Sequence, residues 1–523
     1  MRPVLPLLLW MALAAAPLAE AFGPTAPPPA AATPAVTTAP AATPGPMLAA
    51  SPEAVRLLDQ GRAQMIGFRL ADADQTFARM AQSDPAGPAA AFHLAKTAWW
   101  RAITMEQDAL YAAFFERSDA ALAALRDAPE GPWKNHFRAE AELHRAIVFA
   151  KQASYLNAAR AMRQAYNGFE RNARQHPDFH ESRWGMGVCY LTVASVPRQF
   201  RWVLRTLGFR GTVPDGLREI ATAAERSQYY RDEAAILYAF ADDAFNEGRG
   251  DGVARLRAVR ARHPESPVTA YVLGVGQLVA RDAAGAERSL RAAEAALGRS
   301  GVYPIPYVQY YLADALFRQD RFADAAPRFE RFLAAFPGQA FRAQAHVKAG
   351  LAREMLGERA AAERHYRSVR VRRDYDTDAS ARREAEARLA RPMSERERTL
   401  LRARNAFDGG RYDEAVRLAQ PVMTDASAPA LARAEAAYRS GRAYHVTRRW
   451  AQATQHYQYA VDNPGDPLAK WGPWSQYYIG EVQAAQGNRE AARQAFDRVL
   501  AYEHPFEYHK GLEARARAAR QRL

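Results

Sequence analysis

The chain has 523 residues, 49% hydrophobic and 24% charged, which is enough apolar content for a packed core and too much for global disorder. Lys and Arg number 71 against 57 Asp and Glu, a formal charge of +14, and all but six of the cations are arginines. A single cysteine, Cys189, excludes an intrachain disulfide, a Cys-built zinc site and an iron–sulfur cluster.

Residues 1–21 read as a signal peptide. Arg2 is the positive start, Val4–Leu18 the apolar stretch, and Ala19-Glu20-Ala21 a small-residue cleavage site. The apolar run falls short of the roughly 20 residues needed to cross a bilayer, which favours cleavage over a retained anchor. No cysteine follows it, so a lipoprotein anchor is not expected. Residues 22–51 are dominated by Ala, Pro and Thr, as in Pro24-Thr25-Ala26-Pro27-Pro28-Pro29, and form a disordered tether with little to bury. Together with an arginine and alanine bias typical of GC-rich bacteria, these features predict a periplasmic or secreted protein.

From residue 52 onward, Ala-rich segments of helical period alternate with short turns, and strand-like alternation is missing. In chain order the recurring positions are Gly61, Ala73, Phe77 and Pro85; then Ala165, Phe169 and Pro177; then Gly274, Ala286, Leu290 and Ala293. They continue with Leu312, Ala313, Phe322, Ala325, Phe329 and Pro337, then Gly350, Ala362 and Tyr366. Ala403, Tyr412 and Ala415 follow in a unit whose second helix is expected to be interrupted by Pro421. The last two units read Gly441, Tyr444, Trp450, Ala453, Tyr457, Ala460 and Pro464, then Ile479, Gly480, Ala492, Phe496 and Pro505. Spacings of 34 to 39 residues and a small residue at position 8, Ala at 20 and a bulky residue at 24 resemble the tetratricopeptide repeat. Small residues at 8 and 20 let two helices approach closely, and the residue at 24 fills the groove between hairpins.

The resemblance implies an all-α solenoid, a right-handed superhelix of helix hairpins that is stabilised only by stacking on neighbours. The expected divisions are 52–230, divergent long-helix repeats; 231–370, regular repeats; 371–397, an inserted basic helix; and 398–523, repeats ending in a basic C-terminal tail. Residues 364–404 and 510–523 hold +10 of the +14. Solvated helix faces are the commonest explanation for such runs, although anionic lipid or acidic protein also fits them.

Residues 187–220 exceed what ordinary repeats explain. Gly187, Leu191, Ser195-Val196-Pro197, Leu204, Gly208-Phe209-Arg210-Gly211 and Gly216-Leu217 resemble the diagnostic stretch of the eukaryotic tetratricopeptide repeat protein 39 family, which includes the fungal inclusion-body clearance protein. That resemblance implies a helical solenoid without known catalytic residues and a role in protein handling or lipid-related biology. The signal peptide departs from that intracellular family.

Two groups are candidate binding residues. Position 5 of the first helix faces the concavity of such an array, and Tyr271, Tyr310, Tyr438 and Tyr477 occupy it, a residue type suited to protein recognition and also common there for packing. A helix opened by Pro197 puts Arg198, Arg201 and Arg205 on one side and Phe200 on the other, with Trp202 between them in sequence, a possible membrane or partner helix. Asp374, Asp376 and Asp378 have calcium-loop spacing but lack the glycine and glutamate that complete such a loop, and His176 and His180 lack a third ligand. No phosphate loop, nucleophile elbow or zincin helix occurs. The expected function is a noncatalytic exported scaffold binding a protein or peptide in its concave groove, with no cofactor and no metal. The alternative is a peripheral membrane or lipid-associated protein using the basic amphipathic helix; nucleic acid is not an expected partner.

Overall fold

A computed structural model of the chain describes residues 47–49, 51–84, 87–195, 208–245, 251–370, 376–466, 468–502, 506 and 508–523. Among these residues the fold is all-α, with 24 α-helices in paired hairpins. The N-terminal block is α1 (Pro52–Ile66), α2 (Leu70–Ser83), α3 (Pro88–Met105), α4 (Asp108–Ala124), α5 (Pro132–Lys151), α6 (Tyr155–Gln175), a 3-10 turn at His180–Ser182, α7 (Arg183–Ser195) and α8 (Val213–Arg226). The middle is α9 (Arg231–Phe245), α10 (Gly252–Arg262), α11 (Pro267–Val279), α12 (Ala283–Leu297), α13 (Tyr307–Phe317), α14 (Phe322–Ala335), α15 (Arg342–Met355) and α16 (Arg359–Arg367). The C-terminal block is α17 (Asp376–Ala390), α18 (Glu395–Asp408), α19 (Tyr412–Thr424), α20 (Ala430–Val446), α21 (Trp450–Asp462), α22 (Trp471–Ala485), α23 (Arg489–Leu500) and α24 (His509–Arg522).

Local chemistry starts several of these helices. Pro52, Pro88, Pro132 and Pro267 sit in first turns, where a missing amide donor costs nothing. Ser51 and Ser266 accept from backbone amides, and Thr212 with Asp215 and Ser394 with Glu397 make reciprocal capping boxes. The turn between paired helices carries a left-handed residue at Arg281, Asp320, Gly357, Gly410, Arg448 and Gly487.

Nearly every helix packs on the next, α17 packing back on α15 and α16, and first helices also touch the next first helix, as α11 does α13 and α20 does α22. Ala73, Ala286, Ala325, Ala362, Ala415, Ala453 and Ala492 at position 20 are all fully buried. Position 8 is small for a specific reason: a Cβ on Gly61, Gly274, Gly350, Gly441 or Gly480 would lie within 3.0 Å of Phe77, Leu290, Tyr366, Tyr457 or Phe496 respectively. The bulky residue at 24 therefore rests on the small residue of its own hairpin. The same device joins α7 to α8, where a Cβ on Gly187 would meet Ile220 and one on Gly216 would meet Leu191.

Two expectations change. Pro421 does not interrupt its helix, because α19 runs through it to Thr424 and loses one backbone donor near its end. The basic C-terminal segment is α24, whose Leu512, Ala516 and Ala519 are buried against the preceding repeat.

The array also coils back on itself. Arg62 donates to the Tyr229 carbonyl at 2.6 Å and Ser266 Oγ to the Ile66 carbonyl at 2.6 Å. The Tyr303 amide donates to the Phe68 carbonyl at 2.9 Å. Glu106 accepts from the Gln339 and Ala340 amides at 3.2 and 3.3 Å, from the Tyr307 hydroxyl at 3.3 Å, and pairs with Lys151. No described helix is long and apolar enough to cross a membrane.

Candidate functional site

Stacking of neighbouring hairpins decides where the four position-5 tyrosines lie. Tyr271, Tyr310 and Tyr477 are 0, 2 and 1% exposed. Tyr310 is boxed by Phe341 at 4.7 Å, Phe332 at 5.4 Å and Phe329 at 5.7 Å, Tyr271 meets Tyr311 at 5.8 Å, and Tyr477 meets Phe496 at 5.6 Å. The expectation that these three present a contact surface is therefore corrected. They are interior packing residues, because α11, α13 and α22 are enclosed on nearly every side.

Tyr438 alone of the four is half-exposed. Its ring lies 5.2 Å from Trp471, which begins α22 and is also half-exposed. The Arg439 guanidinium sits 5.3 Å from the Trp471 ring, and Lys470 lies 4.8 Å from that ring and 5.4 Å from the Tyr508 ring. Glu435 holds Arg439 from the preceding turn. Leu431, two turns before Tyr438 on the same face of α20, is 41% exposed, and Leu468, just before Lys470, is 54% exposed. An aromatic and cationic surface with apolar neighbours results. Trp471 carries the sequence signal that was missed, an aromatic at the mouth of a first helix with a cation on either side in space.

Below this surface the inner ends of α11, α13, α18 and α20 converge. Arg281 lies 4.4 Å and Arg442 5.2 Å from the Phe407 ring. Arg442 also donates to the Tyr478 hydroxyl at 2.6 Å. Arg318 pairs with Asp314 at 2.8 Å and donates to the Leu278 and Asp408 carbonyls, and Lys348 meets the other Asp314 oxygen at 2.6 Å. Burial, reinforced by Arg442, pulls the Arg281 guanidinium down to about 10. Burial also holds His445 at about 3, helped by Arg442 and Arg281, so it is neutral there.

A second cluster, missed in the sequence, fills the N-terminal block. Glu140 is completely buried, with Lys96 Nζ 2.9 Å from Oε1 and the Tyr230 hydroxyl donating to Oε2 at 2.5 Å. His136 and His144 lie one turn either side of it on α5, at 3.2 and 3.5 Å. The spacing of 136, 140 and 144 on one helix face was the available signal. Burial opposes the charge on Glu140, but Lys96 and the hydrogen-bonding groups around it hold its carboxyl well below the usual range. Sealed from solvent, this constellation ties α3, α5 and α9 together and offers no surface to a substrate. Cys189 is also sealed, 3.8 Å from Met162 Sδ, and burial pushes its thiol up, away from the reactive thiolate.

Arg198, Phe200, Arg201, Trp202 and Arg205 lie outside the described residues, as does Asp374. Asp378 accepts from Gln344 at 2.8 Å. Among the described residues no three His, Cys, Asp or Glu side chains are grouped to hold a metal ion.

Residues 307–338 and 474–505, which hold α13 with α14 and α22 with α23, match the tetratricopeptide repeat family. The chain carries tetratricopeptide repeats. Such repeat proteins are typically noncatalytic protein binders. Among solved structures the chain is similar to yeast Tom70, with 11% identity, 90% of this chain and 96% of that one covered, and a TM-score of 0.30. It is also similar to the APC/C hetero-tetramer Cut9–Hcn1, with 13% identity, 90% and 97% coverage, and a TM-score of 0.24. No curated protein sequence matches it.

Proposed function

We propose that the chain is a noncatalytic tetratricopeptide-repeat scaffold, working in the periplasm or outside the cell after loss of residues 1–21, that binds a protein segment at the Tyr438–Trp471 surface. The observation that carries this reading is that Tyr438, alone of the four position-5 tyrosines, stays partly exposed, next to a Trp471 that is itself partly exposed. Rigid aromatics beside arginine and lysine, with apolar neighbours, have the make-up of a protein-contact hot spot. A photo-crosslinking residue at position 471 is expected to trap one defined protein in the native host, and the same residue at exposed position 417 is expected to trap none. Equal adducts from both positions, or none from either, would remove the assignment. The likeness of residues 187–220 to the tetratricopeptide repeat protein 39 family rests on that stretch alone, and no curated protein matches the chain to support it. Membrane association through Arg198, Arg201 and Arg205 is the second reading, favoured by the basic outer face of α24, where Arg517, Arg520 and Arg522 are about half exposed. Flotation with anionic vesicles that is lost at high salt would support it.

A further inference from the structure

Far from the Tyr438 surface, His346 on α15 and His365 on α16 face each other across the hairpin. Their rings are 5.6 Å apart between centroids, with Nδ1 3.3 Å from Nδ1. Both side chains are partly buried but not sealed, His365 being 16% exposed. Two nitrogens of the same type can meet at this distance only with a shared proton or a cation between them, because two lone pairs repel. The other face of His365 limits the choice. Its Nε2 lies 3.3 Å from Glu330 Oε1, and Glu330 is itself clamped by Arg353 Nε and Nη2 at 2.9 Å each. A carboxylate fixed in this way accepts a hydrogen bond from the Nε2–H, which keeps the proton on Nε2 and leaves the His365 Nδ1 lone pair turned toward His346. That is how outer carboxylates orient metal-binding imidazoles.

We propose that His346 and His365 form a two-histidine site for a borderline divalent transition ion, zinc or a close relative, with Glu330 as its orienting carboxylate and water completing the coordination. A tetrahedral ion bound to each imidazole at about 2.0–2.1 Å separates the two nitrogens by roughly 3.3–3.4 Å, the spacing already present without an ion. Imidazole pairs suit zinc, copper and nickel, whereas calcium and magnesium prefer oxygen ligands. Arg342 and Arg370 lie close enough to His346 to act on its charge. The same two arginines repel a divalent ion, so the binding is weaker than that of a closed structural site. Coordination would staple α15 to α16 and rigidify the unit that precedes α17.

The test is calorimetric titration of the metal-free full-length chain with zinc chloride, alongside His346→Ala, His365→Ala, Glu330→Gln and, as a control, His176→Ala. One equivalent is expected in the parent and in His176→Ala, none in either of the two histidine variants, and about tenfold weaker binding in Glu330→Gln. Cobalt in place of zinc should give a visible band of tetrahedral intensity that disappears with either histidine. Retention of the parent melting temperature by the variants in the absence of metal shows that they are folded. An unchanged isotherm in both histidine variants places the ion elsewhere and overturns the site. No saturable binding by the parent at millimolar zinc leaves only an imidazole–imidazole hydrogen bond and overturns it equally.

Discussion

Gly441 under Tyr457 and Gly480 under Phe496 show what the repeat asks of single residues. A Cβ on either glycine would stand 2.7 or 2.5 Å from a ring carbon that is itself enclosed. Gly480→Ala should therefore cost about 1–3 kcal/mol by overpacking, and Phe496→Leu a comparable amount by leaving a void. In the double variant the smaller side chain makes room for the new methyl. The two costs should then fall short of additivity by about 0.5 kcal/mol or more in chemical denaturation, whereas strict additivity would place the residues apart. The same register makes Ala453→Trp strongly destabilising, by roughly 1–3 kcal/mol or more, because Ala453 is fully buried. Arg449→Ala removes only an exposed ion pair with Asp413 and a distant contact with Tyr444, and should be nearly silent. Thermal shifts of equal size for these two variants would break the register. This much was legible from spacing alone, since a small residue at 8 and a bulky one at 24 are demands of local contact. The tyrosines were not. Position 5 names a face of a helix, and what covers that face depends on how tightly the array winds.

Elements were legible where hydrophobic period and caps agreed and less so where packing overrode a local rule. Pro421 reads as a breaker, yet α19 continues past it with Val422 buried beyond. The arginines at the C-terminus read as a tail, yet the Leu512, Ala516 and Ala519 stripe closes the last repeat as a cap. The N-terminal block hid its polar core because Lys96, Glu140 and Tyr230 come from three separate helices or their flanks. That core has a consequence for pH. Burial holds His93 and His144 at about 3, against an ordinary value of 6.5 in the unfolded chain. The unfolded state therefore binds more protons once the pH drops below 6.5. The contribution of these histidines is complete above that value and is lost as the pH falls toward 3. Glu140, with its carboxyl depressed, loses its contribution in the same direction at lower pH. The melting temperature should decline from about pH 7 to about pH 4, and His93→Phe should flatten the decline. A slope identical to the parent's in that variant would show that His93 is not sealed as described.

At the scale of the molecule, successive hairpins wind far enough for the first helices to meet the start of the chain. Glu106 binding the amides of Gln339 and Ala340, and Arg62 reaching the Tyr229 carbonyl, are contacts between segments that no short-range pattern connects. Neighbouring hairpins seal Tyr271 and Tyr310, whereas Tyr438 and Trp471 stay partly exposed beside each other. The Tyr303 amide tests the closure most directly. It sits in the segment between α12 and α13 and donates to the Phe68 carbonyl at the first turn of the array. Hydrogen exchange resolved to that amide should be slowed to near the rate of the buried helices, which would confirm that the two ends of the first coil are joined. Exchange at the unprotected rate of an open loop would mean that the array is splayed and the first coil open.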